Sequence, residues 1–366
     1  MNICFIVGGD NIFFERMGAY FVKKGHKIHV ITLHKPNNKI EGIVYHFLYE
    51  IKPKRIFSNL YKYIKIRKFI SEKINPDILS AFYITQCGWL GSFIGIHPFI
   101  LHVMGSDILI APYKNKLKAP LNSYALRKAD VVISESEVIR NEVTRIRKYE
   151  NNNYVIQFGV DLNLFKPNLG TRELKDKLNI HDEYVIISPR NSSPIYNQDI
   201  IIKAFAEICK KRADVILLMK AQNEEFRIKF EKLANEYGIL EKTRFYGFVP
   251  YEELPIYYNL AKIMISIPSS DSISVCLQEA MACGVVPIIS DLPAPKEWVQ
   301  TNVNGFVIPI DQYILSETIL NILINKALDD EIIKFNLKLT ETKSDFNKNI
   351  DLIESLYSDQ NKLIDL

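Results

Sequence analysis

The chain has 366 residues, 48% of them apolar, which exceeds what one ordinary core needs and is enough to fill two globular domains. Its 46 basic and 42 acidic residues leave a formal charge of only +4, which argues against a general nucleic-acid binder. Five cysteines (Cys4, Cys87, Cys209, Cys276, Cys283) are odd in number, scattered and never spaced Cys-x-x-Cys, so they suggest neither a disulfide framework nor a zinc site and fit a reducing cytoplasm.

The opening MNICFIVGGD lacks the basic flank and the length of a signal peptide and reads as a buried first strand that ends at Gly8 and Gly9. NICFIV, a helix ending near KKGHK, IHVITL, DILSAF, FILHVMG and DVVISES then alternate apolar runs with helical stretches, the pattern of parallel strands with crossover helices. Within this third of the chain, Ile51 to Lys73 interleaves Lys62, Lys65, Arg67, Lys68 and other cations with Ile64, Phe69 and Ile70. Such a helix can lie on an anionic membrane surface, or it can pack its apolar stripe on its own sheet. The apolar stretch Gly88 to Gly105 is broken by His97, Pro98, His102 and its glycines and is not expected to span a membrane.

After the turn-rich Phe158 to Asn168 the alternation restarts with YVIISPR, DVILLMK, RFYGFV, KIMISIP and VVPIIS. Two doubly wound domains in tandem follow, residues 1–162 and 163–345, and a helix over 346–366 with Phe346, Ile350, Ile353 and Leu356 at helical spacing is expected to pack back on the first.

KIMISIP delivers its carboxyl end to Ser269, Ser270 and Asp271, and in open parallel sheets ligands bind at that end. The next helix is expected to start near Ser272 or Ser274, good N-cap residues, and to end where Gly284 takes a left-handed cap. Its free N–H groups, from Ser272 through Ile273, Ser274 and Val275, together with the positive end of the helix dipole, suit an anion such as a diphosphate. Glu279, one turn in, can accept two hydrogen bonds from the hydroxyls of a ribose, and Asp271 would face the other end of the ligand.

The segment SSDSISVCLQEAMACGVVPIISDLPAPKEWVQTNVNGFVIP resembles the donor-site signature of group 1 (family 4) glycosyltransferases, which have the GT-B fold. KKGHKIHVIT, KADVVISESE, QFGVDLNLFKP and RFYGFVPYEELPIYYNLAKI agree in order, so the resemblance spans essentially the whole chain. It implies transfer of a sugar from a nucleotide diphosphate donor with retention at the anomeric carbon, in a cleft between two Rossmann-like domains. By position, Glu279 would hold the ribose, Asp271 the sugar hydroxyls and Arg190 the donor phosphates, with Gly8 and Gly9 close to the sugar and Asp107 retained near it. No Asp-x-Asp occurs and His/Cys clusters with ligand spacing are absent, so no metal or other cofactor is expected. Arg190 and the helix dipole would instead offset the leaving-group charge.

The chain departs from the pattern in four places. Ile195 stands where the family commonly has a phosphate-binding lysine, which leaves Asn197, Lys220 or backbone to substitute, and Met104 stands where a histidine is frequent, with His102 on the same strand face. Asp271 replaces the more usual glutamate, shifting its carboxylate by roughly 1 Å. Ser272 and Ser274 replace glycines. The expected activity is therefore a cytoplasmic retaining transferase of hexosyl or N-acetylhexosaminyl type. It would use a UDP-sugar, or a GDP-sugar, on a glycan or lipid-linked acceptor in surface polysaccharide or lipopolysaccharide assembly, docking peripherally at the membrane. The alternatives are a non-catalytic GT-B subunit that supports a partner transferase, and a nicotinamide-dependent dehydrogenase, which VGGDNIFF disfavours because it lacks the Gly-x-Gly-x-x-Gly spacing.

Overall fold

A computed structural model describes residues 1–37, 39–47, 59–109 and 118–359, the side chains of residues 59–62 and 326–329 excepted. The chain divides into two units, Met1–Phe158 with Asn347–Leu366, and Gly159–Phe346.

The first unit is built on seven parallel strands: β1 (Asn2–Val7), β2 (Lys27–Thr32), β3 (Ile43–Phe47), β4 (Ile78–Phe82), β5 (Phe99–Val103), β6 (Val131–Ser134) and β7 (Asn153–Val155). Their spatial order is β3-β2-β1-β4-β5-β6-β7, so the winding direction reverses between β1 and β4. β4 and β5 are buried along their whole length, as strands covered by helices on both faces must be. The apolar stretch Gly88 to Gly105 is spent here as the short helix Trp89–Ile94 and β5, and a Cβ at Gly91 would lie 2.5 Å from the Phe99 ring, so only glycine lets the two meet. No helix among the described residues is long and apolar enough to cross a membrane.

The helix Phe346–Asp359 buries Asn349, Ile350, Ile353 and Tyr357. Leu356, expected on that face, is only half-buried, and Tyr357 takes the last position. The Tyr357 hydroxyl lies 2.7 Å from Ser80 Oγ on β4 and 2.9 Å from His102 Nε2 on β5. His102 also stacks on Phe82, with ring centroids 4.5 Å apart. Burial pushes its imidazole down to about 3, so His102 is a neutral core residue whose ring is committed to Phe82 and Tyr357.

The second unit carries six parallel strands: β8 (Tyr184–Ser188), β9 (Val215–Lys220), β10 (Thr243–Tyr246), β11 (Ala261–Ser266), β12 (Val286–Ser290) and β13 (Phe306–Ile308). Their order is β10-β9-β8-β11-β12-β13. The chain winds one way from β8 through β10 and then crosses to β11 on the other side of β8. The carboxyl ends of β8 and β11 therefore border the crevice that such a reversal opens.

Removing the Tyr357 hydroxyl leaves two buried polar atoms without their partner. Tyr357→Phe is expected to destabilise the first unit by about 1–3 kcal/mol. Trp89 is the tryptophan of the first unit and Trp298 that of the second, so urea unfolding followed by fluorescence in a Trp298→Phe background reads the first unit alone. An unchanged midpoint would show that the hydroxyl does not tie the helix to the sheet.

Candidate active site

β8 leads directly into Arg190, and β11 leads through Ile267 and Pro268 into Ser269, Ser270 and Asp271. The two loops are stitched together by backbone groups and one amide. Ser269 N donates to Ile195 O (2.8 Å), and Asn197 Nδ2 donates to Ile267 O (2.8 Å) and Ser269 Oγ (3.0 Å). Asn197 holds a left-handed conformation (φ 51°), which asparagine tolerates, and Gln198 Nε2 donates to Arg190 O (2.8 Å). Both amide protons of Asn197 are thus used to fix loop geometry. The side chain considered as a substitute phosphate ligand instead holds the two loops in register.

Arg190 is only 8% exposed. Its Nη2 lies 2.8 Å from Asp271 Oδ2, and its guanidinium sits 4.3 Å from the centre of the Tyr196 ring. Burial works most strongly against the charge on Arg190, but Asp271, Cys276 and Tyr196 together outweigh it and keep the guanidinium protonated. Burial likewise pushes the Asp271 carboxyl up, opposed by Arg190 and by the Ser272 N–H that donates to Oδ1 (3.1 Å). The groups expected to hold the donor phosphates and the sugar hydroxyls are therefore closed on each other.

The helix Val275–Ala282 begins beside this pair. Ser274 is its N-cap, accepting from Leu277 N (3.3 Å), and Gly284 just beyond it is left-handed (φ 78°). Both features follow the local sequence rules for helix ends. Ser272 is 7% exposed, and its hydroxyl has no hydrogen-bond partner. Ile273 is buried and Val275 half-buried, which leaves their backbones as the groups available to a ligand. Glu279, at 5% exposure, accepts from the Tyr258 hydroxyl at 2.8 Å. Burial, with Cys276 and Glu279 adding to it, pushes the Tyr258 phenol well up, so it stays a proton donor to that carboxylate. Tyr258 comes from the helix Leu254–Leu260, and the sequence signal that could have found it is the RFYGFVPYEELPIYYNLAKI segment, which precedes the acidic motif.

The remaining candidates belong to the first unit. Gly8 and Gly9 follow β1 at the reversal point of the first sheet, and a Cβ on Gly8 would meet nothing within 4 Å. Asp107 is 3% exposed and accepts from Ile84 N (2.8 Å) and Gly105 N (3.0 Å). Burial raises its carboxyl to about 6 while those N–H groups pull it down. Asp107 thereby ties the loop after β4 to the loop after β5, a positioning task, since both of its oxygens are already engaged. Met104, between β5 and that loop, is half-buried. Lys65, Arg67 and Lys68 are exposed on the helix Asn59–Phe69, whereas the Lys62 side chain and residues 51–58 lie outside the described residues. Ile66, Ile70 and Ile74 join the core of the first unit, while Lys65, Arg67 and Lys68 point outward together with the exposed Ile64. Among the described residues no group of three or more His, Cys, Asp or Glu side chains is arranged to hold a metal ion.

Two family models match the chain, "Glycosyl transferase 4-like" over residues 2–136 and "Glycosyl transferases group 1" over residues 170–339. The chain belongs to the group 1 glycosyltransferases. A relative among characterised proteins, the N-acetyl-alpha-D-glucosaminyl L-malate synthase of Bacillus anthracis, is 24% identical over 82% of this chain and 80% of its own length. Among solved structures, Anabaena HepE in complex with UDP superposes with a TM-score of 0.83 at 18% identity, covering 98% of this chain and 100% of that one. WaaG, a glycosyltransferase involved in lipopolysaccharide biosynthesis, gives a TM-score of 0.74 at 14% identity over 96% and 99% of the two chains. The two parallel-sheet units are those of the GT-B fold.

Proposed function

We propose that this group 1 glycosyltransferase moves a hexosyl or N-acetylhexosaminyl group from a UDP-sugar to a glycan or lipid-linked acceptor, with retention at the anomeric carbon. The observation that carries the reading is the second unit's cluster of Arg190, Asp271 and Glu279 around one helix N-terminus, at the point where the sheet reverses. HepE binds UDP and WaaG serves lipopolysaccharide synthesis, which supports a uridine nucleotide and a surface-glycan setting for this chain as well.

In this reading Glu279, oriented by Tyr258, accepts hydrogen bonds from the ribose hydroxyls. The diphosphate lies against the helix N-terminus and takes Arg190 as its counter-ion. As the bond between the anomeric carbon and the phosphate oxygen breaks, negative charge grows on the diphosphate, where Arg190 and the helix dipole stabilise it. The departing phosphate oxygen accepts the proton of the acceptor hydroxyl, whose oxygen forms the new bond on the same face of the sugar. Asp271, released from Arg190, accepts hydrogen bonds from the sugar hydroxyls and so orients the ring. No step requires a metal ion, and the absence of Asp-x-Asp from the sequence accords with this.

Incubating the purified chain with a panel of nucleotide sugars and following release of the free nucleotide tests the activity. A UDP-sugar is expected to be turned over, and Glu279→Ala should weaken UDP binding by about 10- to 100-fold, the worth of a charge-assisted hydrogen-bond pair. Turnover of none of the panel would point to a nucleotide-binding subunit without activity of its own.

The outward basic face of Lys65, Arg67 and Lys68, beside the exposed Ile64, supports peripheral contact with an anionic membrane. Vesicles containing phosphatidylglycerol should pellet the protein at low salt and release it as salt rises, and replacing the three cations by Glu should abolish pelleting. Pelleting that is unaffected by these substitutions would remove this face from the account.

A further inference from the structure

The donor site as described has one buried cation, and the residue at the family's second position is Ile195. A diphosphate carries more negative charge than one guanidinium neutralises, so its site calls for another cation facing the same helix N-terminus. Lys220 is the last residue of β9, the strand next to β8, and is half-buried. Ser192 Oγ and Gln198 Nε2 both donate to its carbonyl oxygen at 3.3 Å, so the loop that carries Arg190 anchors the Lys220 backbone directly.

The face on which its side chain leaves the sheet follows from strand alternation. Leu217 and Met219 sit in the core cluster with Ile201, Ile202 and Phe205 of the helix Gln198–Cys209. Ile216 and Leu218 are buried but take no part in that cluster, and Lys220 shares their parity. Leu277, Ala280 and Met281 of the helix Val275–Ala282 are also buried outside that cluster, on the opposite face. Lys220 therefore projects from the face that carries this helix. The electrostatics agree: burial and Glu279 raise the Cys276 thiol, in the first turn of the helix, while the charges of both Arg190 and Lys220 pull it down. No carboxylate among the described residues pairs with the Lys220 ammonium, whereas Arg190 is held by Asp271. The buried Ser272 hydroxyl in the same loop also lacks a partner, a further donor awaiting an acceptor.

We infer that Lys220 is the second cation of the diphosphate site, binding the phosphates from the β9 side of the crevice in place of the lysine that Ile195 replaces. This rests on the donor-site reading above. An ammonium is a compact point charge on a flexible stem, so it can reach phosphate oxygens from a neighbouring strand without the fixed geometry of a guanidinium.

Calorimetry with UDP and GDP and with inorganic pyrophosphate, plus an NMR titration with uridine, on wild type, Lys220→Ala and Lys220→Arg tests the inference. Lys220→Ala is expected to weaken the bound nucleoside diphosphate and pyrophosphate by about 10- to 100-fold, the worth of one charged hydrogen bond, while uridine binding stays within about twofold. Lys220→Arg should restore most of the loss, because it keeps the charge. Unchanged diphosphate affinity in Lys220→Ala, or an equal loss for uridine, overturns the inference, since the second outcome marks a structural role. Pyrophosphate binding that depends on Lys220 without binding of either nucleotide would keep the anion site and overturn the nucleotide-sugar reading. Binding of neither pyrophosphate nor nucleotide by wild type would overturn both.

Discussion

A guanidinium and a carboxylate buried together at the mouth of a parallel sheet set the terms for the rest of the second unit. Arg190 and Asp271 stand 2.8 Å apart with little solvent around them, and a buried charge that loses its partner costs about 3–5 kcal/mol. Whatever opens the pair must therefore satisfy both halves. A nucleotide sugar does so, because its diphosphate offers Arg190 a new counter-ion and its sugar hydroxyls offer Asp271 hydrogen-bond donors. Inorganic phosphate would satisfy only the arginine. In the proposed reading the short side chain of Asp271, set against the glutamate more usual in the family, thus bears on both the resting pair and the sugar that would replace it.

Around that pair the scaffold is rigid for reasons that can be traced residue by residue. Asn197 fastens the loop after β8 to the loop after β11, and Ser274 fixes where the helix begins. Tyr258 holds Glu279 in one orientation. In the first unit Asp107 plays a comparable part, joining the loops after β4 and β5 through two backbone N–H groups. His102, which shares a strand face with the position of the missing histidine, is instead occupied by Phe82 and Tyr357. In the proposed reaction, chemistry on the second unit's side accordingly depends on positioned charges, with the leaving phosphate itself accepting the proton.

Much of this was legible in the amino-acid sequence because it is local. The strand runs, the Ser274 cap, the left-handed Gly284 and the placing of Asp271 and Glu279 at either end of a helix start all depend on residues within a few positions of one another. What was not legible depends on contacts between distant segments. The Asn197 amide meets carbonyl and hydroxyl groups about seventy residues away, Tyr258 reaches Glu279 from another helix, and Tyr357 completes a bond set on β4 and β5. The basic stretch shows the same limit from the other side. Its periodic apolar residues could cover a membrane or a sheet equally well, and only the packing shows that Ile66, Ile70 and Ile74 cover the sheet while Ile64 stays exposed.

If the donor diphosphate takes Arg190 away from Asp271, the carboxylate is a competitor for the cation and repels the incoming phosphates. Calorimetric titration of UDP into Asp271→Asn, which keeps the shape of the side chain and removes its charge, tests this most directly. The account predicts UDP binding tighter than wild type by about tenfold, or about 1.4 kcal/mol, together with slower sugar transfer. UDP binding that weakens in Asp271→Asn would contradict it, because the carboxylate would then be supporting the phosphate site instead of occupying it.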